Sequence, residues 1–118
     1  MKFHKKSKKI TIRFSKQLRT EMQHAIINSS YGLNGKSRWL ADSIDFFTRQ
    51  SNYIDLVEHG IDINQADLCT VEAFYLAEET LIIMKNALIK VRVRYPLFEG
   101  VQSAFIRACV TYRLMLVS

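Results

Sequence analysis

The feature that most constrains this chain is a single short alternation near its start. In Lys8-Lys9-Ile10-Thr11-Ile12-Arg13-Phe14, the apolar Ile10, Ile12 and Phe14 interleave with Lys9, Thr11 and Arg13. A period of two marks a half-buried strand, here with one oily face and one basic face. The residues after it read as helix, so the strand stands alone with two open edges, which is unstable in water. It must therefore pair with something. The expectation is an antiparallel pairing with the same strand of a second copy, so that Ile10, Ile12 and Phe14 from both copies cover a shared core.

The helices after it are marked by their caps and their spacing. Ser15 stands at an N-cap position, and Leu18, Met22, Ala25 and Ile26 fall on one side of a helix predicted over about Lys16 to Ser29. Tyr31-Gly32-Leu33-Asn34-Gly35 holds residues that tolerate the left-handed backbone of a helix stop. Ser37 is then the cap expected for a second helix reaching about Gln50, with Leu40, Ile44 and Phe47 on its inner face. Trp39, Phe46 and Phe47 are read as core, and Asp42 and Asp45 as solvated.

Beyond residue 50 the pattern predicts a short helix within Ser51 to Gly60, a linker from Gly60 to Asp67, one long helix from Thr70 to Pro96, and a last helix over about Val101 to Leu116. An alternative for part of this region is a strand followed by a shorter helix within Val71 to Leu88. Lys90-Val91-Arg92-Val93-Arg94 also alternates as a strand would. The expected organisation is a basic arm (1–7), a strand-helix-helix unit (8–51) and a helical oligomerisation or interaction region (52–118). The fold class is mainly α with one short N-terminal β-strand.

Charge is distributed unevenly between these parts. Residues 1–50 hold 11 lysines and arginines against 3 acidic residues, whereas residues 51–118 hold 6 against 8. A clustered excess attracts polyanions, while scattered charge only keeps a protein dissolved. The cations fall at three useful places: the arm, the outer face of the strand, and the opening of the second helix. A paired ribbon of this kind is about as wide as the major groove of B-DNA admits. In that groove Arg13 can offer two donors to guanine, Thr11 can give a hydrogen bond or meet a thymine methyl, and Lys9 can reach a guanine or a phosphate. Lys36, Ser37 and Arg38 put cations, a hydroxyl and free amides at a positive helix end, which suits phosphate. Lys2, Lys5, Lys6 and Lys8 would add phosphate or minor-groove contacts.

These residues resemble the ribbon-helix-helix, or MetJ/Arc/CopG, superfamily over about Lys8 to Gln50: the run Ile10 to Ser15, a helix, a turn at Gly35, and a helix opening Lys36-Ser37-Arg38. The resemblance implies a β-α-α dimer in which Lys9, Thr11 and Arg13 read bases and Lys36, Ser37 and Arg38 grip phosphate. It implies a homodimeric regulator on double-stranded DNA, most simply a transcriptional repressor. A relaxosome accessory protein at a plasmid transfer origin would use the same chemistry. An antitoxin that wraps a protein partner with its C-terminal half is the rival reading, favoured if Leu114, Met115 and Leu116 remain uncovered in the purified dimer.

The C-terminal half also bears a likeness to the first. Met22-Gln23-His24-Ala25-Ile26 sits beside Met84-Lys85-Asn86-Ala87-Leu88, and Ser37-Arg38-Trp39-Leu40 beside Ser103-Ala104-Phe105-Ile106. A degenerate second ribbon-helix-helix is the alternative to a plain helical extension, as in some conjugation accessory proteins that resemble this layout. Its strand would lie near Val71 to Leu76 and would expose no cation.

Other chemistry finds little support. Cys69 and Cys109 lack partners at close spacing and are read as small buried apolar residues. His4, His24 and His59 have no ligand spacing, so no metal or cofactor is expected. No phosphate loop or nucleophile motif argues for an enzyme, and Glu78-Glu79 is read as favourable charge at a helix start. The apolar runs are too short to span a bilayer, and a cytoplasmic protein is expected.

Overall fold

The lone strand finds its partner inside the same chain. In the computed structural model, which describes residues 7–32, 35–59, 67–97 and 99–116, β1 (Ser7–Phe14) pairs antiparallel with β2 (Thr70–Ala77). The remaining elements are α1 (Lys16–Ile27), α2 (Lys36–Thr48), α3 (Tyr53–His59), α4 (Glu78–Arg94) and α5 (Val101–Leu116). The molecule is thus mostly helical with one two-stranded antiparallel sheet. Its order is β-α-α, a short helix, then β-α-α again. This corrects the expectation that the ribbon needs a second copy, and it replaces the long helix from Thr70 by a strand and a shorter helix, the alternative already open in the sequence.

The reason is visible in the period of the segment. Phe74 and Leu76 point inward and are fully buried, while Val71 and Tyr75 are each 56% exposed. Alternation of that kind satisfies a sheet with one wet face, and it competes successfully with the helical spacing of Phe74, Ala77 and Leu81. The register sets Lys9 against Tyr75, Thr11 against Ala73, and Arg13 against Val71 on the outer face. Ile10 lies against Phe74 and Ile12 against Glu72 on the inner one. Thr70 Oγ1 donates to the Phe14 carbonyl at 2.8 Å and closes one end.

The two β-α-α units follow the same element order along the chain. Ser15 and Ala77 are the residues just before α1 and α4, and both have extended backbone. Thr11 and Ala73, which face each other across the ribbon, stand at that same sequence separation. Met22 and Met84 match at this separation too, and both are buried. A boundary after residue 51 therefore falls between two units that share one ribbon and one core.

That core lies under the ribbon. Ile10, Ile12, Phe14, Phe74 and Leu76 form its roof; Met22 and Ile26 of α1 and Met84, Leu88 and Val91 of α4 close its sides. α2 and α5 pack against each other at its centre, where the Phe47 and Phe105 rings meet edge-on at 5.8 Å. Such pairs add to the burial of two large rings. Trp39 and Phe47 are buried as expected, but Phe46 is 41% exposed and leans on the ring of Tyr112. α2 presents only one stripe to the core, and Phe46 falls beside it.

Helix ends follow ordinary rules with one correction. The Ser15 hydroxyl accepts from Leu18 N–H at 3.1 Å, which caps α1. α2 begins one residue before Ser37, with Gly35 as its cap residue. A β-carbon at Gly35 would stand 2.5 Å from the Tyr31 carbonyl oxygen, so the close approach of these two backbones requires glycine. α4 stops at Tyr95 because Pro96 cannot continue it.

The two cysteines differ. Cys69 is exposed, contrary to the expectation that both are buried, because it lies just before β2 outside the packed layers. Cys109 on α5 is buried, and burial pushes its thiol well above its ordinary value. One thiol should therefore react with a soluble disulfide reagent in the native protein, and two after denaturation. Native reaction of both would contradict the packing of α5.

Candidate nucleic-acid interface

The ribbon's outer face is where the sequence-predicted residues converge. Lys9, Thr11 and Arg13 are all exposed and evenly spaced along β1, because odd-numbered residues of this strand point away from the core. Among the described residues none of these three side chains has a hydrogen-bond or ion-pair partner. Beside them β2 sets out Tyr75, Ala73 and Val71. The face is therefore lopsided, with two cations and a hydroxyl on one strand and an aromatic and two apolar groups on the other. Lys8 is exposed at the start of the strand, while Lys2, Lys5 and Lys6 lie outside the described residues.

The expected phosphate clamp is placed beside this face but is partly engaged. The Ser37 hydroxyl accepts from the Tyr75 N–H at 2.9 Å, satisfying an amide on the open edge of β2. It is a bracket between α2 and the ribbon, which sequence spacing did not reveal. Lys36 Nζ donates to Glu72 Oε1 at 2.7 Å and lies 5.4 Å from the centre of the Phe74 ring. Arg38 is exposed and lies 5.8 Å from the Tyr31 ring centre. Tyr31 in turn donates its hydroxyl proton to Asp42. Of the two cations, Arg38 is the one without a carboxylate partner among the described residues.

Glu72 is the residue that the sequence reading missed. It occupies an inward-facing position of β2, equivalent to that of Ile10 in β1 at the same sequence separation, and it is only 7% exposed. Two cations meet it there, Arg19 of α1 through Nε and Lys36 of α2 through Nζ. Burial by itself would push the Glu72 carboxyl up, but hydrogen bonds from Lys36 and Arg19 and the charge of both outweigh it and hold it below its ordinary value. The triad ties both helices of the first unit to the strand of the second. A signal existed in the sequence: once Val71 to Leu76 is taken as a strand, Glu72 shares its face with Phe74 and Leu76.

A buried cation supports β1 directly. Arg107 of α5 is 7% exposed and donates from Nη1 to the Arg13 carbonyl at 3.0 Å. It anchors the backbone that carries the Arg13 side chain. Burial pushes its guanidinium below the ordinary arginine value. Among the described residues no group of histidine, cysteine and carboxylate could hold a metal ion, and no helix is long and apolar enough to cross a membrane.

Comparison with protein-family models, with curated proteins and with solved structures gave no match.

Proposed function

We propose that the chain is a ribbon-helix-helix protein folded from two unequal copies in tandem, and that it binds double-stranded DNA sequence-specifically by laying the outer face of its ribbon in the major groove. The observation that carries this reading is the row of Lys9, Thr11 and Arg13, exposed and unpartnered on a ribbon whose opposite face is sealed into the core. An Arg fork matches guanine O6 and N7, and a two-stranded ribbon fits the groove. Arg38 at the start of α2, with Lys36 beside it, would add phosphate contacts that set depth and register without reading sequence.

The chemistry of the two strands predicts an uneven footprint. β1 offers donors suited to guanine edges, while Val71 and Ala73 suit thymine methyls and Tyr75 offers one hydroxyl. One chain supplies both strands, so its preferred site should lack the palindromic symmetry of a site read by two identical strands. Control of transcription by occupancy of such a site, as a repressor, is the simplest use. The tandem order of two β-α-α units favours a second use of the same surface, since it resembles conjugation accessory proteins that mark a plasmid transfer origin.

Selection of bound sequences from random duplex DNA tests the reading. The expected result is enrichment of one short motif without internal two-fold symmetry, with one chain bound per motif by mass. Failure to enrich any duplex, or equal binding to single strands, would overturn it.

A further inference from the structure

We propose that two copies of this chain associate through the outward face of α4, packed antiparallel about a two-fold axis beside Lys85. This goes beyond DNA binding and does not depend on it. With the ribbon closed inside one chain, its strands are no longer the surface on which a second copy would dock. α4 presents another.

Its inner side is spent on the core through Met84, Leu88 and Val91. On the opposite side Ile82, Ile89 and Val93 are 54%, 51% and 78% exposed. At about 100° per residue these three fall on one narrow stripe along the helix. Isolated exposed apolar residues are commonplace, but a stripe along a 17-residue helix is the form that helix pairing uses.

The charges beside the stripe choose the occupant. Glu78 and Glu79 flank its start, and Lys90 and Arg92 flank its end, all four exposed. By the same helical turn, Glu78 and Arg92 lie on one side of the stripe and Glu79 and Lys90 on the other. A two-fold axis perpendicular to two antiparallel helices brings each flank against its own counterpart reversed. Glu78 then meets Arg92 of the second copy and Ile82 meets Ile89. Both pairings are centred within one residue of Lys85, so a single register satisfies them together. A parallel pairing would set acid on acid and base on base. Asn86 sits near the axis, where a polar residue fixes register. Lys85 faces its own copy there, but its long stem carries the ammonium to solvent.

Sedimentation of the full chain without DNA tests this, from low micromolar to near millimolar concentration. The expected result is a reversible shift from the 13.7 kDa monomer to twice that mass. Ile89→Glu should weaken association by about tenfold or more, with the helical signal and thermal midpoint kept. Glu78→Arg should also weaken it, and adding Arg92→Glu to that variant should restore it. A monomer at every concentration would overturn the proposal and leave the stripe to a different partner. Unaltered association of Ile89→Glu would overturn it in favour of another surface, and failure of the double swap to restore association would overturn the antiparallel register.

Discussion

Arg13→Ala should weaken specific DNA binding by about 1 to 3 kcal/mol and relax the base preference at a single position of the site. The magnitude is that of one bidentate guanine contact. Its confinement to one position stems from the fold: the second strand carries Tyr75 where the first carries Arg13, so one chain holds one such fork. Competition binding against duplexes substituted one base pair at a time measures both effects. A uniform loss across all sequences would reassign Arg13 to phosphate, and no loss would remove the ribbon from the interface. The backbone at this position is held by Arg107 from beneath, so truncating the exposed side chain should leave stability nearly unchanged. A binding defect in Arg13→Ala is therefore due to the missing guanidinium and not to misfolding.

Glu72→Ala should lower stability at neutral pH by about 1 to 2 kcal/mol, through two cations left facing a small cavity without their carboxylate. A fully enclosed ion pair would cost more. Here Arg19 and Lys36 keep 38% and 39% of their side-chain surface in water and can rehydrate, which limits the loss. The acid limb of the stability curve gives an independent check. Because the Glu72 carboxyl is held below its ordinary value in the folded chain, the unfolded chain binds the proton more readily, and stability rises with pH between the folded and unfolded values. The contribution is complete above the ordinary glutamate value and is lost as pH falls through the folded one. Chemical unfolding followed from pH 6 downward should therefore show a steeper loss for the natural chain than for Glu72→Ala. Glu72→Ile places an isoleucine at the position equivalent to Ile10 in β1, and should recover most of the stability lost in Glu72→Ala without recovering the acid sensitivity. Parallel acid limbs in all three proteins would remove Glu72 from this role.

Much of the first unit was legible because its signals are local. The alternation from Lys9 to Phe14 dictated a strand and the faces of its residues, Ser15 was the cap it looked to be, and the spacing of Leu40, Ile44 and Phe47 located the inner side of α2. The partner of the strand was harder to see. Thr70 to Ala77 lacks the basic outer row that made β1 conspicuous, and its Phe74 and Ala77 also satisfy a helical period with Leu81. Only the register with β1 decides between the two. The faint likeness of the Met22 and Met84 segments falls on α1 and α4, where both methionines are buried, and the cation-free outer face foreseen for a strand near Val71 to Leu76 agrees with Val71, Ala73 and Tyr75. The roles of Lys36 and Ser37 were not readable from neighbours in sequence. They depend on Glu72 and the Tyr75 amide, each more than thirty residues away.

A ribbon closed by residues of one polypeptide has a property that a ribbon shared by two molecules lacks. When separate protomers must meet to fold, their stability falls on dilution. Here the two strands remain at a fixed effective concentration however few molecules a cell contains. Tethering also frees the halves from evolving in lockstep: a replacement in β2 is not copied into β1, which is how an isoleucine on one strand can stand opposite in role to a glutamate on the other.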